Sequence, residues 1–295
     1  MTVQAIPRFE EAACFLCGGK YDRVLCRKRW HSSERHFTIV QCRRCGLVRM
    51  NPRRCPEDTK RNYEQVDSVG VFEEKGAGRT TGHRLLLEEL ERVLGRQGRL
   101  LDMGCATGQF LLAARDRGWQ VVGVELTPAC VGYCRDMHKL EVWQGDVLSP
   151  SVDGQRFDVI SLLYVLEHVP DPLLALRAAY RYLQPGGILL AVVPNVDYIR
   201  TRIHRFRGTL HQSREMDPGH YTYFTRETLL RTARLAGLAP LKIDAGFAGS
   251  FLLGRDRVEP VKAMRSIAGL IHRFSDTLGI GSDLRLWAVQ PKESR

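Results

Sequence analysis

The stretch Arg99–Phe110, RLLDMGCATGQF, decides the fold of this 295-residue chain. Its apolar start predicts a strand that ends at Asp102, and its apolar end predicts a helix. Between them, Gly104, Ala106 and Gly108 place small residues at alternate positions, so the backbone can pass close to a bound ligand, and glycine also permits positive φ. A strand, a tight turn and a helix in this order build the ligand crevice of an open α/β sheet.

The composition is that of a globular protein with one large domain and room for a small one. Hydrophobic residues make up 44% of the chain, which suffices for a sizeable core. The N-terminal residues contain no apolar run of the signal-peptide type. No window approaches the roughly 18 apolar residues that a membrane span needs. The sequence therefore predicts a cytoplasmic protein without a transmembrane segment.

Positive charge is concentrated near the N-terminus. The net charge is +11, and residues 1–62 hold 14 Lys and Arg against 6 Asp and Glu, while the rest of the chain holds 30 against 27. A basic face favours anionic partners such as nucleic acid, phosphorylated sugars or a membrane surface. A well-solvated surface explains the same charges equally well.

Two C-x-x-C pairs in the basic segment predict a metal site. Each pair is followed by a glycine, Gly18 or Gly46, which allows the left-handed bend of a metal-binding knuckle. Four thiolates suit tetrahedral Zn²⁺, and such a closed site is structural rather than catalytic. Free or disulfide-linked thiols are the alternative, which a cytoplasmic location disfavours. The predicted ligands are Cys14, Cys17, Cys42 and Cys45.

Alternating apolar strands and amphipathic helices after this segment predict a doubly wound, mainly parallel sheet. The predicted domains are a zinc-ribbon-like unit over 1–55, with a β-hairpin between its cysteine pairs, a linker or flexible cover over 56–78, and an α/β domain over 79–295. Residues 250–283 predict an amphipathic helix that covers the site or contacts another subunit. The predicted strands span 99–103, 120–125, 141–144, 157–163, 188–193, 241–245 and 284–290. The predicted helices span 83–94, 109–117, a segment starting at 128, 172–183 and 226–236.

The pattern D-x-G-x-A-x-G in the first stretch resembles the cofactor loop of class I S-adenosylmethionine (SAM) methyltransferases, although Ala106 stands where the family has glycine. Glu125 ends the second strand and Gly145-Asp146 ends the third. The segments FDVISLLYVLEHVPDP and LQPGGILLAVVPN look like the family's fourth and fifth strand signatures. The resemblance implies a seven-stranded Rossmann-like sheet with an antiparallel last strand, joined here to a small N-terminal zinc ribbon.

The resemblance also implies which residues hold SAM. Asp102 would orient the loop or bind near the methionine amino group, Glu125 would accept hydrogen bonds from the ribose hydroxyls, and Asp146 would contact the adenine amine. The alternatives are a turn cap for Asp102, a surface acid for Glu125 and a turn former for Asp146. The other expected cofactor contacts are Gly104, Cys105, Ala106, Gly108, Leu126, Val147 and Leu163.

Candidate catalytic residues come from two segments. His168 belongs to a Glu-His pair found in the family's small-molecule members, and His220 lies in residues 196–224, the predicted substrate lid. Either histidine could remove a proton from the acceptor, and a purely structural histidine is the alternative for each.

Four further residues are expected to bind the acceptor. Tyr164 follows the fourth strand and would line the pocket near the sulfonium, with core packing as its alternative. Arg205 and Arg207 offer guanidinium groups that match phosphate or carboxylate oxygens. Tyr223 follows His220 in a segment, H-x-x-Y-F-T, that resembles one in bacterial methyltransferases of polysaccharide and secondary-metabolite pathways.

Together these features predict a SAM-dependent methyltransferase that acts on a small, anionic or sugar-like acceptor, with O-methylation favoured. The first alternative is a methyltransferase of ribosomal or transfer RNA that grips its substrate with the basic ribbon. The absence of an N/D-P-P-Y/F motif argues against some enzymes of that kind. The second alternative is a non-catalytic SAM-binding protein. The oligomeric state is left open.

Overall fold

The computed structural model describes residues 8–29, 36–65, 69–77, 80–150, 152, 154–213, 215–246 and 281–292. The strands are β1 (Phe9–Glu10), β2 (Asp22–Arg29), β3 (His36–Cys42), β4 (Val48–Met50), β5 (Arg53–Arg54), β6 (Arg99–Met103), β7 (Gln120–Glu125), β8 (Val142–Gln144), β9 (Phe157–Leu163), β10 (Leu183–Pro194), β11 (Thr222–Tyr223), β12 (Ala239–Gly246) and β13 (Asp283–Val289). The helices are α1 (Pro56–Gln65), α2 (Val69–Ala77), α3 (Thr80–Leu94), α4 (Gln109–Arg115), α5 (Pro128–His138), α6 (Pro172–Tyr182), α7 (Ile199–Phe206) and α8 (Arg226–Leu235), with a 3₁₀ turn at Leu210–Gln212.

Seven strands form the central sheet, in the order β12-β13-β10-β9-β6-β7-β8. The five strands from β10 to β8 are parallel, and β13 runs antiparallel to both of its neighbours. The order reverses at β6, so a crevice opens at the carboxyl ends of the strands beside it. This arrangement confirms the predicted fold class, including the antiparallel last strand.

Burial on both faces explains why the strand pattern was readable. The strand β9, FDVISLL, is buried along nearly its whole length, as expected for a parallel strand covered by helices on both sides. Separate apolar clusters lie on the two faces of the sheet. The bounds of β6, β7 and β9 agree with the predicted ones.

A second, four-stranded sheet lies at the N-terminus, in the order β11-β4-β3-β2. The predicted hairpin is present as the antiparallel pair β2 and β3. Its edge strand β11 comes from the predicted lid and pairs antiparallel with β4. One buried cluster joins the two segments, with Phe37, Ile39, Val48 and Met50 on one side and Val196, Leu210, Met216 and Tyr223 on the other. The N-terminal segment and the lid therefore share one core.

Residues 56–78, predicted as a linker or flexible cover, contain the helices α1 and α2. Helix α1 carries few apolar residues, and α2 places Val69, Val71 and Phe72 next to charged residues, so neither helix showed a clear amphipathic period in the sequence. The amphipathic helix expected over 250–283 lies outside the described residues up to residue 280. Within the part of the chain that the structure describes, no helix has the length and apolar character that crossing a membrane would require.

A buried ion pair anchors the second sheet. Arg49 Nη2 on β4 donates to Asp22 Oδ2 on β2 at 2.8 Å, and Asn51 Nδ2 donates to the same oxygen at 3.1 Å. The Arg49 side chain is 5% exposed. Removing one partner of such a pair leaves a buried charge without compensation.

We expect Asp22→Ala to lower the free energy of unfolding by about 3 kcal/mol, because Arg49 stays buried. Glu10→Ala is the matched control, since it removes an ion pair with Arg53 whose side chains are 40% and 24% exposed, and we expect a loss of at most about 1 kcal/mol. Urea unfolding measures both changes. Equal losses in the two variants would contradict the anchoring role of Asp22.

Candidate active site

The loop between β6 and α4 has the backbone that its small residues predicted. The φ angles are 84° at Gly104, 48° at Ala106 and 79° at Gly108. A Cβ atom on Gly104 would lie 2.6 Å from a methyl of Val165, and one on Gly108 would lie 2.6 Å from Leu140. Alanine tolerates the left-handed conformation at a cost of roughly 1 kcal/mol. The loop therefore demands glycine at two positions and holds Ala106 in a strained one.

Glu125 holds this loop in place. Its side chain is buried at the end of β7. Oε2 accepts a hydrogen bond from the backbone N–H of Ala106 at 2.9 Å, and Oε1 accepts one from Thr127 at 2.8 Å. A carboxylate oxygen can accept two hydrogen bonds, so each oxygen keeps one position open. Two open acceptors on one carboxylate match the two neighbouring hydroxyls of a ribose.

Asp102 is buried at the end of β6. Ser161 Oγ on the neighbouring strand β9 donates to its Oδ1 at 2.7 Å. Burial raises the pKa of Asp102 to about 7, against the opposing effect of the Ser161 hydrogen bond, and the negative charge of Glu125 raises it further. A cation bound next to Asp102 would stabilise the ionised carboxylate.

The remaining predicted cofactor residues surround the same crevice. Asp146 follows β8, and its Oδ1 accepts a hydrogen bond from the backbone N–H of Leu148 at 2.9 Å. Asp146 therefore stabilises a turn, which was the alternative role expected from the sequence. Its other carboxyl oxygen could still accept a hydrogen bond from a ligand. Cys105 and Val147 are buried, whereas Leu126 and Leu163 are partly exposed. Their contacts with SAM remain predictions.

Two histidines from distant segments meet beside this crevice. The rings of His168, after β9, and His220, in the lid, have centroids 4.7 Å apart and planes at 79°. His168 Nδ1 lies 3.1 Å from the carbonyl oxygen of Gly219. Because a carbonyl only accepts, Nδ1 carries the hydrogen and Nε2 of the neutral ring is the basic nitrogen. The histidine pair therefore places a basic ring nitrogen at the carboxyl ends of the strands, where the loop between β6 and α4 also lies.

The buried carboxyl group of Glu167 belongs to the same cluster. Ligand atoms of Glu167, His168 and His220 all lie within 4.8 Å of one another. Carboxylate and imidazole groups at such distances can also hold a divalent cation. Experiments on the histidines therefore need an arm that varies the metal content.

The predicted acceptor residues fall into two groups. Tyr164 has a left-handed φ of 58° next to the cofactor loop and is partly buried. Tyr223 is buried, and its hydroxyl donates to the carbonyl oxygen of Asp217 at 2.7 Å, a contact that fixes the lid. Arg205 and Arg207 are exposed on α7 and just after it, and Arg205 forms an ion pair with Asp197 rather than with either histidine.

The sequence did not reveal several residues that build this site. Ser161 gave no signal because a serine within a buried strand has no motif. Glu73, in the predicted linker, accepts a hydrogen bond from Gln109 Nε2 at 2.8 Å. Tyr63, on α1, is partly buried, and the pKa of its hydroxyl is raised by burial and further by the negative charges of Glu125 and Glu167. The helices α1 and α2 therefore reach the crevice that the loop opens.

The four predicted metal ligands lie together, two of them in the segment before β2 and two at the turn between β3 and β4. Cys14 Sγ and Cys45 Sγ are 3.5 Å apart, as are Cys17 Sγ and Cys42 Sγ. All four sulfur atoms lie within 4.8 Å of one another, which fits a tetrahedral ion with metal–sulfur bonds of about 2.3 Å. Both predicted left-handed glycines are present, with φ of 68° at Gly18 and 78° at Gly46.

Burial raises the pKa of the Cys14 and Cys45 thiols. A bound cation is what would keep these sulfur atoms as thiolates. The donor set, the spacing and the burial all fit a structural zinc ion.

The methyltransferase domain family matches residues 79–243 of this chain. The chain belongs to this family. Its match contains the cofactor loop, Glu125, Asp146 and both histidines. The family match starts after the cysteine cluster, so it leaves the N-terminal sheet to be explained by its own geometry.

Several curated relatives are named as O-methyltransferases. A ubiquinone biosynthesis O-methyltransferase of Xanthomonas campestris is 29% identical over 219 residues, which cover 64% of this chain and 89% of that protein. The enzyme of the same name from Pseudomonas aeruginosa is 35% identical over 97 residues. That match covers 30% of this chain and only 41% of the Pseudomonas protein.

Solved structures support the fold. A SAM-dependent methyltransferase of Thermotoga maritima, described as a possible histamine N-methyltransferase, superposes with a TM-score of 0.54 at 19% identity, over 79% of this chain and 99% of that one. A SAM-dependent methyltransferase of Archaeoglobus fulgidus gives 0.51 at 22% identity, over 76% and 100%. At these identities the likeness establishes the fold alone.

We expect the buried carboxyl of Asp102 to make stability depend on pH. Its folded pKa of about 7 exceeds the unfolded value of about 3.9, so the folded state binds an extra proton between these values. Stability of the SAM-free protein therefore falls as pH rises through this window.

The isosteric variant Asp102→Asn stays neutral and should melt at a higher temperature than the wild type at about pH 8, with the difference shrinking toward about pH 4. The same variant should bind SAM more weakly. Asp136→Asn, at an exposed position on α5, serves as the control in thermal unfolding scans. A pH-independent difference between Asp102→Asn and wild type would rule out the raised pKa.

Proposed function

We propose that this protein transfers a methyl group from SAM to an oxygen of a small acceptor bound beneath the lid, residues 196–224. The observation that carries this proposal is the meeting of His168 and His220, 4.7 Å apart, at the edge of the sheet where the cofactor loop lies. A proton acceptor next to a methyl donor is what O-methylation requires.

The cofactor side of the proposal rests on the loop and the two carboxyl groups. Glu125 would accept hydrogen bonds from the ribose hydroxyls through its two open positions, and Asp102 would lie near the methionine amino group. Asp146 would reach the adenine amine with its second oxygen. Most of the acceleration would come from holding the acceptor oxygen in line with the reactive sulfonium and from excluding water.

On the acceptor side, His168 Nε2 or His220 would take the proton from the attacking hydroxyl. Tyr164 would line the pocket near the methyl group. Small-molecule O-methyltransferases among the relatives support a small acceptor. An anionic or sugar-like acceptor is the proposed class, because the lid itself carries the guanidinium groups of Arg205 and Arg207.

We also propose that Cys14, Cys17, Cys42 and Cys45 hold one structural Zn²⁺. The sulfur separations and the buried thiols support this assignment. The role of the ion would be to fold the N-terminal sheet, and with it strand β11 of the lid.

The acceptor class can be tested with purified protein, radiolabelled SAM and a cell lysate separated into RNA and small-molecule pools. We expect label in the small-molecule pool. Label confined to RNA would replace this proposal with the RNA alternative, and SAM binding without any transfer would leave a SAM-binding protein. Arms with and without added Mg²⁺ show whether the Glu167 cluster needs a cation.

Methyl transfer to the labelled acceptor fraction by His220→Ala and by His168→Ala shows which histidine removes the proton. The variant that removes the base should lower kcat by about 10²- to 10⁴-fold and remove the acidic limb of its pH profile, with SAM affinity unchanged. His211→Ala, an exposed histidine of the same lid, is the control. If both variants keep wild-type kcat and pH profile, neither histidine is the base.

Loss of zinc should destabilise the lid, which covers the acceptor, and should leave the affinity for SAM nearly unchanged. We expect one zinc per chain by mass spectrometry, and none in Cys42→Ser/Cys45→Ser. In that variant, hydrogen exchange should speed up at β4 and β11, because the two strands pair directly. Affinity for SAM should change little, since Asp102 and Glu125 lie in the other sheet. Unchanged exchange at β11 after zinc loss would contradict the coupling.

A further inference from the structure

The helix α7 exposes its apolar side chains. Ile199, Ile203 and Phe206 are 37%, 44% and 94% exposed. Their spacing of four and three residues places them on one face of the helix. Thr201, on the opposite face, is fully buried. The helix therefore turns its apolar face to the solvent and a polar residue to the interior, the opposite of an ordinary surface helix.

Arginines flank this stripe. Arg200, Arg202, Arg205 and Arg207 are all exposed. Arg205 Nη1 lies 3.4 Å from Asp197 Oδ1, and the Arg200 guanidinium lies 6.0 Å from the ring of Tyr198. Among the described residues, no ion pair joins Arg200, Arg202 or Arg207 to an acid. The outer face of α7 thus combines an apolar stripe with uncompensated positive charge.

We propose that α7 lies on the surface of an anionic lipid bilayer. The stripe of Ile199, Ile203 and Phe206 enters the boundary between head groups and acyl chains, and the arginines bind lipid phosphates. A helix with apolar residues on one face and arginines beside them has the chemistry of an interfacial helix. Arginines close to an anionic bilayer add an electrostatic attraction that falls off within a Debye length and therefore weakens as salt is added. The inference does not require the proposed methyl transfer, although Arg205 and Arg207 belong to both proposals.

Two other partners fit this surface less well. An RNA backbone would bind the arginines, but its phosphates would leave the apolar stripe in water. A second copy of α7 would cover the stripe, but it would bring four more arginines against the first four, and like charges repel. A bilayer with anionic head groups satisfies both parts of the surface at once.

Vesicle flotation tests the proposal with the full chain. We expect the wild type to float with vesicles of phosphatidylcholine and phosphatidylglycerol, and not with vesicles of phosphatidylcholine alone. Ile203→Ser/Phe206→Ser should weaken binding by at least about tenfold, because two apolar side chains no longer leave water. Arg202→Gln/Arg207→Gln should weaken binding and flatten its salt dependence.

The matched control is Leu174→Ser, which removes an apolar side chain of similar exposure, 42%, from α6. It should bind vesicles as the wild type does. Circular dichroism and SAM binding confirm that each variant is folded. Absence of flotation for the wild type, or equal flotation for the stripe variant and the control, would overturn the proposal, whatever the result of the methyl-transfer assay.

A photo-crosslinker at the centre of the stripe identifies what covers it. With p-benzoylphenylalanine in place of Phe206, irradiation in the presence of mixed vesicles should attach lipid to the chain. The same group in place of Tyr21, which is 83% exposed on the N-terminal segment, should attach little. Cross-links from position 206 to the same chain or to a second copy would show that protein covers the stripe, and would overturn the proposal.

Discussion

The backbone of one residue, Tyr221, ties the two sheets of this protein together. Its N–H donates to the carbonyl oxygen of Glu167 at 2.7 Å, and its own carbonyl accepts from the N–H of Met50 at 3.0 Å. Glu167 follows strand β9 of the central sheet, and Met50 belongs to β4 of the N-terminal sheet. His220 immediately precedes this junction, so both sheets set its distance from His168. The geometry of the candidate active site therefore depends on the two backbone hydrogen bonds of Tyr221.

This junction gives the N-terminal sheet a structural role in the proposed reaction. Further bonds reach across the same interface, from Lys28 Nζ to the Ser213 carbonyl at 2.7 Å and between the hydroxyls of Thr59 and Tyr221 at 2.5 Å. The shared buried cluster makes the lid part of the ribbon's core. A zinc ion bound by the four cysteines would therefore stabilise the acceptor side, and the ribbon needs no nucleic-acid partner to explain its presence.

Periodicity and glycine positions made the central sheet predictable, because long buried strands and left-handed turns leave clear patterns. The thiol cluster was predictable for the same reason, since metal ligands have a fixed spacing. Strand β11 is two residues long and pairs across the chain, so no local pattern could reveal it. Helix α1 has no fully buried residue, and α2 is joined to α4 by the hydrogen bond from Gln109 to Glu73, so no local apolar pattern placed either helix. The hydrogen bond from Ser161 to Asp102 likewise arises only when neighbouring strands align.

Electrostatics then links the cofactor to the proposed reaction. Burial favours the neutral form of Asp102, whereas the positive charges of SAM, if bound beside it as proposed, would favour its carboxylate. With SAM bound beside Asp102, cofactor binding and ionisation of this carboxyl would be coupled, each promoting the other. Methyl transfer would remove the sulfonium charge, so the product would stabilise the buried carboxylate less than SAM does. The same residue that helps to hold the cofactor would thus favour exchange of the spent cofactor for a fresh one.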